Sequence, residues 1–388
     1  MAEFTDVLPE LRSLQLDSHE AVEAVRSALS ASGSRASGRR TYDLLRGPDV
    51  VARATFNARG ALRWLCVPSE LWKQARPMVL EDAQSQSKRV ARTALLSYRE
   101  LKGAYTSPGW LQIRPVGIPL NDRTGHQALS LHVPSGVYLP FAVEVTYKWS
   151  SLPFLEGHRR VVAVQHAQWL LATFIDVPVF SLATPYSWAF VDGSYALVAC
   201  GLPHGLDDAS DEDFSDVSHL SQLVPVPTAE YYASLGISTS DFRVPDLASL
   251  YDRFGALPPS AALRFLRCCA SIFAASNPAI GRPQKLVALV SAIEPLLEEG
   301  QRCSQCNSHI GIAQRFREFL DAYVHPSPQI RHIYEAVYTS RSQIVHGGWN
   351  PDVDEPFFSL YSKDESGGLA AWAAAKQGAI NWLLSQGA

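Results

Sequence analysis

The period of the apolar residues changes part-way along this chain, and that change limits what it can fold into. Up to about residue 205, short apolar runs are separated by turn signals; beyond about residue 257, apolar residues recur at helical spacing to the end. A period of two builds a sheet face and a period of 3.6 builds a helix face. The expected fold is therefore α+β: an N-terminal mixed α/β region with β-hairpins, then a C-terminal all-α helical bundle. The expected parts are a recognition or sensor region over 1–223, a connector over 224–256 and the bundle over 257–388. A length of 388 residues suits two or three domains.

Three hairpins are expected in the first part. Val51–Thr55 and Ala61–Val67 flank Asn57-Ala58-Arg59-Gly60, with Gly60 supplying the positive φ. Ala128–His132 and Val137–Val145 flank Pro134-Ser135-Gly136, and Trp188–Val191 and Tyr195–Ala199 flank Asp192-Gly193, the strongest of the three signals. Helices are expected over His19–Ser30 and over Ser69–Tyr98 with Pro77 as its weak point, and Arg160–Phe174 suits a helix or a buried strand, the helix being favoured. Trp110, Trp149, Trp169 and Trp188 suit the core or a recognition surface, the core being favoured. Gly205–Val217 carries Asp207, Asp208, Asp211, Glu212, Asp213 and Asp216 without the spacing or central glycine of a calcium loop, so it reads as a solvated acidic linker. Val224–Pro259, rich in Pro and Ser, reads as a connector with short helices.

Five helices are expected after it. Pro259–Ala275 aligns Leu263, Leu266, Ala270 and Phe273; Pro283–Glu299 aligns Leu286, Leu289, Val290, Ile293 and Leu297, with Pro295 kinking it or ending it early. Ser308–Val324 aligns Ile312, Phe316, Phe319 and Tyr323. The fourth helix has Ser327 as N-cap, Pro328 at its first position and Gly347 just past its end, with Ile330, Ile333, Val337, Ile344 and Val345 on its apolar side. Gly368–Ser385 closes the set with Leu369, Trp372, Ile380 and Leu383.

Arg341 and His346 sit in the last turn of that fourth helix. There the negative end of the helix dipole stabilises a protonated His by up to about 2 kcal/mol in a partly buried setting. A fixed guanidinium can hold a phosphate and steady the charge of a pentavalent transition state, while the imidazole moves the proton. The pair thus suits RNA cleavage without metal. Five positions on an ideal helix is a rotation of about 140°, so the two do not share a face. Either the helix loosens near Gly347 or two protomers contribute to one composite cleft; the dimer is the expected arrangement. The plainer reading makes Arg341 a salt-bridging surface residue and His346 a C-cap.

Tyr338, Arg341-Ser342, Ile344-Val345-His346-Gly347 and Gly348 resemble the Y-x-x-R-S-x-I-V-H-G-G signature of Apea-like HEPN domains. Ile293-Glu294, in the Leu289–Leu297 helix, fits the second helix of the same family. The resemblance covers roughly residues 257–388. It implies a helical bundle that dimerises, and a metal-independent endoribonuclease whose R-x4–6-H motif carries activity in toxin–antitoxin or anti-phage systems. Carried across, Arg341 binds phosphate and His346 transfers the proton, with Ser342, Glu294 and Tyr338 supporting. Glu294 would orient Arg341 or His346, or simply face solvent. Attack of the RNA 2′-hydroxyl would leave a 2′,3′-cyclic phosphate, with no cofactor. Ser342 follows the arginine where many active members have Asn, Asp or His. The alternative is a non-catalytic HEPN module that binds a nucleotide, RNA or protein partner. The N-terminal region would then receive a protein trigger or inhibitor.

A net charge of −4 gives no bulk attraction to nucleic acid, so RNA contacts must rest on a few placed arginines. The opening Met1–Asp6 shows no secretory pattern, and the apolar stretch Trp169–Phe180 is broken by Asp176 and Pro178. Six scattered cysteines suit a reducing, cytoplasmic compartment. Cys303, Cys306 and His309 have zinc-ligand spacing without a fourth ligand at a usual interval, so reduced loop cysteines are expected and a structural zinc is the alternative. Gly193-Ser194 followed by Asp207, Asp211 and Asp213 lacks the strand-borne carboxylate pair of a nucleotidyltransferase.

Overall fold

Antiparallel pairing organises the N-terminal residues of the computed structural model, which describes residues 4–58, 60–116, 139–181, 186–191, 194–199, 210–233, 242–277, 280–297, 311–324, 328–348 and 363–386. The chain divides into two units: 1–91 with 145–164 and 210–214, and 92–144 with 165–209 and 215–388.

In the first unit, β1 (Phe4–Asp6), α1 (Leu8–Ser13) and α2 (Ser18–Ala28) precede β2 (Gly33–Gly38), β3 (Thr41–Arg46), β4 (Asp49–Phe56) and β5 (Leu62–Pro68), and α3 (Ser69–Gln84) follows. The sheet order is β1-β5-β4-β3-β2, every neighbour antiparallel. Asp17 and Glu20 form a reciprocal capping box that starts α2. One sheet face, with Leu44, Ala52, Ala54, Leu65 and Val67, is buried with Leu11, Val25, Trp72 and Val79 from the three helices. The β4–β5 hairpin is the one expected, and Gly60 turns it with φ +79°. β2 and β3 were not expected, because Gly-Ser-Arg-Ala-Ser-Gly shows no apolar alternation to read.

The helix expected over Ser69–Tyr98 stops at Gln84, and Lys88–Ser97 forms strand β6 instead. Pro77 lies inside α3 without ending it. A strand's hydrogen-bond partners come from elsewhere in the sheet, so local periodicity alone misassigned these residues. Next come β7 (Tyr105–Ser107), β8 (Leu111–Pro115), β9 (Leu139–Lys148), α4 (Pro153–Phe174) and β10 (Val179–Phe180). The second sheet has the order β10-β6-β9-β8-β7. The expected hairpin turn Pro134-Ser135-Gly136 lies outside the described residues. The third hairpin is present as β11 (Tyr186–Val191) and β12 (Ser194–Ala199), in register from Tyr186↔Ala199 to Val191↔Ser194. Trp110 is buried and stacked on Tyr251 at 3.9 Å, while Trp149 and Trp169 are half-buried.

Two short helices, α5 (Thr228–Ala233) and α6 (Leu247–Gly255), occupy the stretch read as connector. They bury Tyr231, Tyr232, Leu247 and Leu250. The bundle follows: α7 (Pro259–Ser276), α8 (Arg282–Ile293), α9 (Ile312–Tyr323), α10 (Pro328–Val345) and α11 (Lys363–Ser385). With 52% helix and 23% strand, sheets toward the N-terminus and helices toward the C-terminus, the fold is α+β. Helix α8 packs on α7, α10 and α11, burying Leu286, Leu289, Val290 and Ile293 as expected. Pro295 ends α8 early, in a single 3-10 turn over Glu294–Leu296. Three expectations are corrected. The buried face of α7 centres on Phe265, Cys268, Cys269 and Ile272, leaving Leu263 exposed, and Ile312 and Val345 are exposed too. Cysteines that pack as small apolar groups shift the buried stripe of α7 away from the leucine. Among the described residues, no helix is long and apolar enough to cross a membrane.

Candidate active site at the end of helix α10

Helix α10 starts at Pro328, as the sequence implied, and buries Tyr334 and Val337. Tyr338 is half-buried, its ring 5.1 Å from that of Phe316 on α9. The helix stops in a complete Schellman motif. Gly348 N–H donates to the Gln343 carbonyl at 2.8 Å, and Gly347 N–H donates to the Ile344 carbonyl at 3.1 Å. Gly347 has φ +72°, the left-handed conformation in which a β-carbon would be strained.

His346 is the residue just before that turn. Its N–H donates to the Ser342 carbonyl at 3.1 Å, and the residue is exposed. Ser342 is half-buried. Arg341, one turn back, meets Glu294 with Nη2 2.9 Å from Oε1, their side chains 22% and 24% exposed. Glu294 stands there because Pro295 stops α8 at this point. The approach is close but poorly aligned: among the described residues, neither Glu294 Oε1 nor Arg341 Nε makes a hydrogen bond. The contact is therefore an electrostatic pairing, and the unbonded Nε is itself buried.

The helix is regular through Val345, so no loosening before Gly347 brings Arg341 and His346 onto one face. Among the described residues, no hydrogen bond or ion pair joins the two. Of the supporting residues, Glu294 contacts Arg341, and Tyr338 packs on Phe316. Cys303, Cys306 and His309 lie outside the described residues, as do Gly193, Asp207 and Asp208. Among the described residues, no three His, Cys, Asp or Glu side chains group to hold a metal.

The chain has no counterpart among protein-family models, curated proteins or solved structures: none matches.

Two buried polar clusters lie elsewhere, and neither has a sequence signature. Glu144 on β9 is fully buried. It accepts from Arg114 Nε at 3.0 Å, Gln112 Nε2 at 3.1 Å, Ser215 N–H at 2.8 Å and Ser215 Oγ at 2.5 Å. Burial pushes its carboxyl up, and the bonds from Ser215 and Arg114 more than reverse this, so its pKa is lowered overall. In the second cluster, Tyr231 donates to Asp176 at 2.9 Å, with Arg99 and Arg243 at 3.7 and 3.5 Å. Lys376 on α11 is fully buried, donates to the Ile175 carbonyl and lies 4.3 Å from the Trp372 ring. Burial pulls its amine down to about 7, against the opposing pull of Asp176 and Cys269. Each cluster reaches solvent only at its arginine edge, with Arg114 and Arg243 23% and 26% exposed.

Proposed function

We propose that the C-terminal turn of α10 is the cleavage site of a metal-independent, HEPN-type endoribonuclease. One observation carries the reading. Arg341, paired with Glu294, keeps 22% of its side chain exposed, and an exposed histidine stands five residues further on, at the negative end of the same helix. A part-exposed guanidinium fits a phosphate, and an exposed imidazole can exchange protons with substrate and solvent. The wide angle between the two groups favours a cleft completed by a second protomer. The exposed apolar Val345, next to His346, suits such a contact. In this reading the chain works on RNA in the cytoplasm as a homodimer, in anti-phage defence or as a regulated toxin. Its N-terminal region responds to a protein trigger or inhibitor.

A second reading rests on the same Arg341–Glu294 contact. If that ion pair only ties α10 to the end of α8, the bundle is a non-catalytic module that binds a nucleotide, RNA or protein partner.

Digestion of RNA in the presence of EDTA separates the two readings. Arg341→Ala and His346→Ala are each expected to lower the cleavage rate roughly a hundred- to thousandfold, the scale of about 2.7–4 kcal/mol for a lost transition-state contact. Their melting curves should stay within about 1 kcal/mol of the parent protein, as for a lost cap or dipole contact. Equal cleavage by parent and variants sinks the nuclease reading, and unfolding of both variants makes the two residues structural.

A further inference from the structure

The helix-free face of the N-terminal sheet carries residues in strict register. Across four strands, Arg35 pairs with Asp43, Asp43 with Arg53, and Arg53 with Cys66. Two residues along, Thr41 pairs with Thr55, and Thr55 with Trp64. Paired residues point to the same side of a sheet, and residues two apart along a strand share that side. The Thr41 and Thr55 hydroxyls, 3.3 Å apart, fit this placement.

Asp43 organises the first row. Its side chain is only 3% exposed although it lies on the face away from the helices. It accepts from Arg53 Nε at 2.8 Å and Ser37 Oγ at 3.0 Å, and pairs with Arg35 at 3.8 Å. The Arg53 hydrogen bond in particular holds its carboxyl below the usual range, so it stays ionised. One carboxylate beneath two guanidiniums fixes them side by side and leaves one positive charge over. Arg35 and Arg53 remain 63% and 48% exposed.

Trp64 is 44% exposed on the second row, with the Arg63 guanidinium 4.1 Å from its ring centre. Phe4 on β1, paired with Pro68 and also 44% exposed, shares this face, so both aromatics stand there with no core to fill. The charge is local: residues 33–68 hold seven arginines and no lysine against Asp43 and Asp49, a net +5 in a chain whose total is −4. Such a basic segment attracts polyanions where the rest of the chain does not.

We propose that this face is a docking surface for single-stranded RNA, with Arg35 and Arg53 on phosphates and Trp64 stacked on a base. Aligned cations beside an exposed aromatic are what an unpaired strand requires, since its bases are free to stack. Duplex RNA offers phosphates but no open base face. The polar Thr41–Thr55 strip disfavours face-to-face pairing with a second copy of this sheet through apolar contact. Docking here uses neither Arg341 nor His346 and so goes beyond the cleavage reading; only the choice of RNA over DNA rests on it.

Fluorescence anisotropy tests the proposal, using the full chain with His346→Ala, so that substrate stays intact, and a labelled twelve-nucleotide oligouridylate. Binding should weaken with salt. Arg35→Ala should lower the salt slope by about 0.7, the value for one phosphate contact on a single strand. Trp64→Ala should weaken binding roughly tenfold or more, and Trp64→Phe should recover most of it. Arg53 is replaced together with Asp43, as Arg53→Gln with Asp43→Asn, so that no carboxylate is buried alone; this pair should weaken binding at least as much as Arg35→Ala. Lys73→Ala, on exposed α3, should change nothing. The proposal is overturned if the oligouridylate does not bind at low salt, if these variants bind like the parent, or if duplex RNA or the matching DNA strand binds as tightly. Loss of cleavage with binding intact counts against the α10 site alone.

Discussion

Arg159 and Lys376 are both buried cations, and the two regions that hold them solve the same problem in opposite ways. In the first unit, Arg159 Nε lies 2.6 Å from Glu20 Oε1, and Nη1 lies 3.3 Å from Asp82 Oδ2. Asp82 also accepts from Ser150 Oγ at 2.7 Å and Ser151 N–H at 2.9 Å. The charge is kept and matched, because α2 and α3 each bring a carboxylate to the arginine on α4. In the helical part, Lys376 reaches a backbone carbonyl and a Trp ring, with Asp176 and the Cys269 thiol (itself pushed up to about 12 by burial) exerting only longer-range pulls. Its amine gives way and titrates near neutrality. A buried charge persists where converging segments bring carboxylates into contact; where they offer only a carbonyl, a ring and more distant charges, shedding the proton is the cheaper outcome.

Removing Arg159 should break this comparison most visibly. Arg159→Ala leaves Asp82 buried with its hydroxyl and amide bonds but no cation. The expected loss is about 3–5 kcal/mol, read from urea unfolding. A loss below about 1 kcal/mol would mean that Asp82 is satisfied by Ser150 and Ser151 alone.

Lys376 should show itself through pH. Its folded pKa of about 7 lies below the ordinary lysine value of 10.5, so between those values the unfolded chain binds more protons than the folded one. Stability therefore rises with pH across that window. Lys376→Met has no such slope, so the melting difference between parent and variant should move in the parent's favour from pH 7 to pH 10. A flat difference would mean that the amine stays charged inside the fold, held by Asp176.

The smallest effect is expected at Gly347, where stability and the candidate site meet. A β-carbon there has open space around it, so the strain in Gly347→Ala comes from the backbone at φ +72° alone. The variant should lose about 1–2 kcal/mol. Amide exchange in the last turn of α10 should quicken with little change in α8. If exchange quickens equally through α8, the end of α10 is part of the bundle's cooperative core and not a local cap.

Much of the layout was legible because its causes are local. The switch in apolar period, the Gly60 turn, the β11–β12 hairpin, the early stop at Pro295 and the glycine end of α10 each depend on a few neighbouring residues: a positive φ, a missing N–H, a repeat of 3.6. Arg341, His346 and Glu294 were singled out as candidates by the resemblance of the run around them, and local pattern alone favoured a surface salt bridge and a cap. Only the tertiary structure decided which of them meet. Where α8 stops brings Glu294 to Arg341 and not to His346, and the regular last turn keeps Arg341 and His346 on different faces. The strands β2, β3 and β6, the row from Arg35 to Cys66 and the burial of Lys376 belong to the same class. A strand is fixed by partners across the sheet, and desolvation depends on which distant segments cover a side chain. Sequence determines where a chain can turn and which face of a helix prefers the interior; the folded packing determines which charges end up together, because that depends on pairings between residues that no local pattern connects.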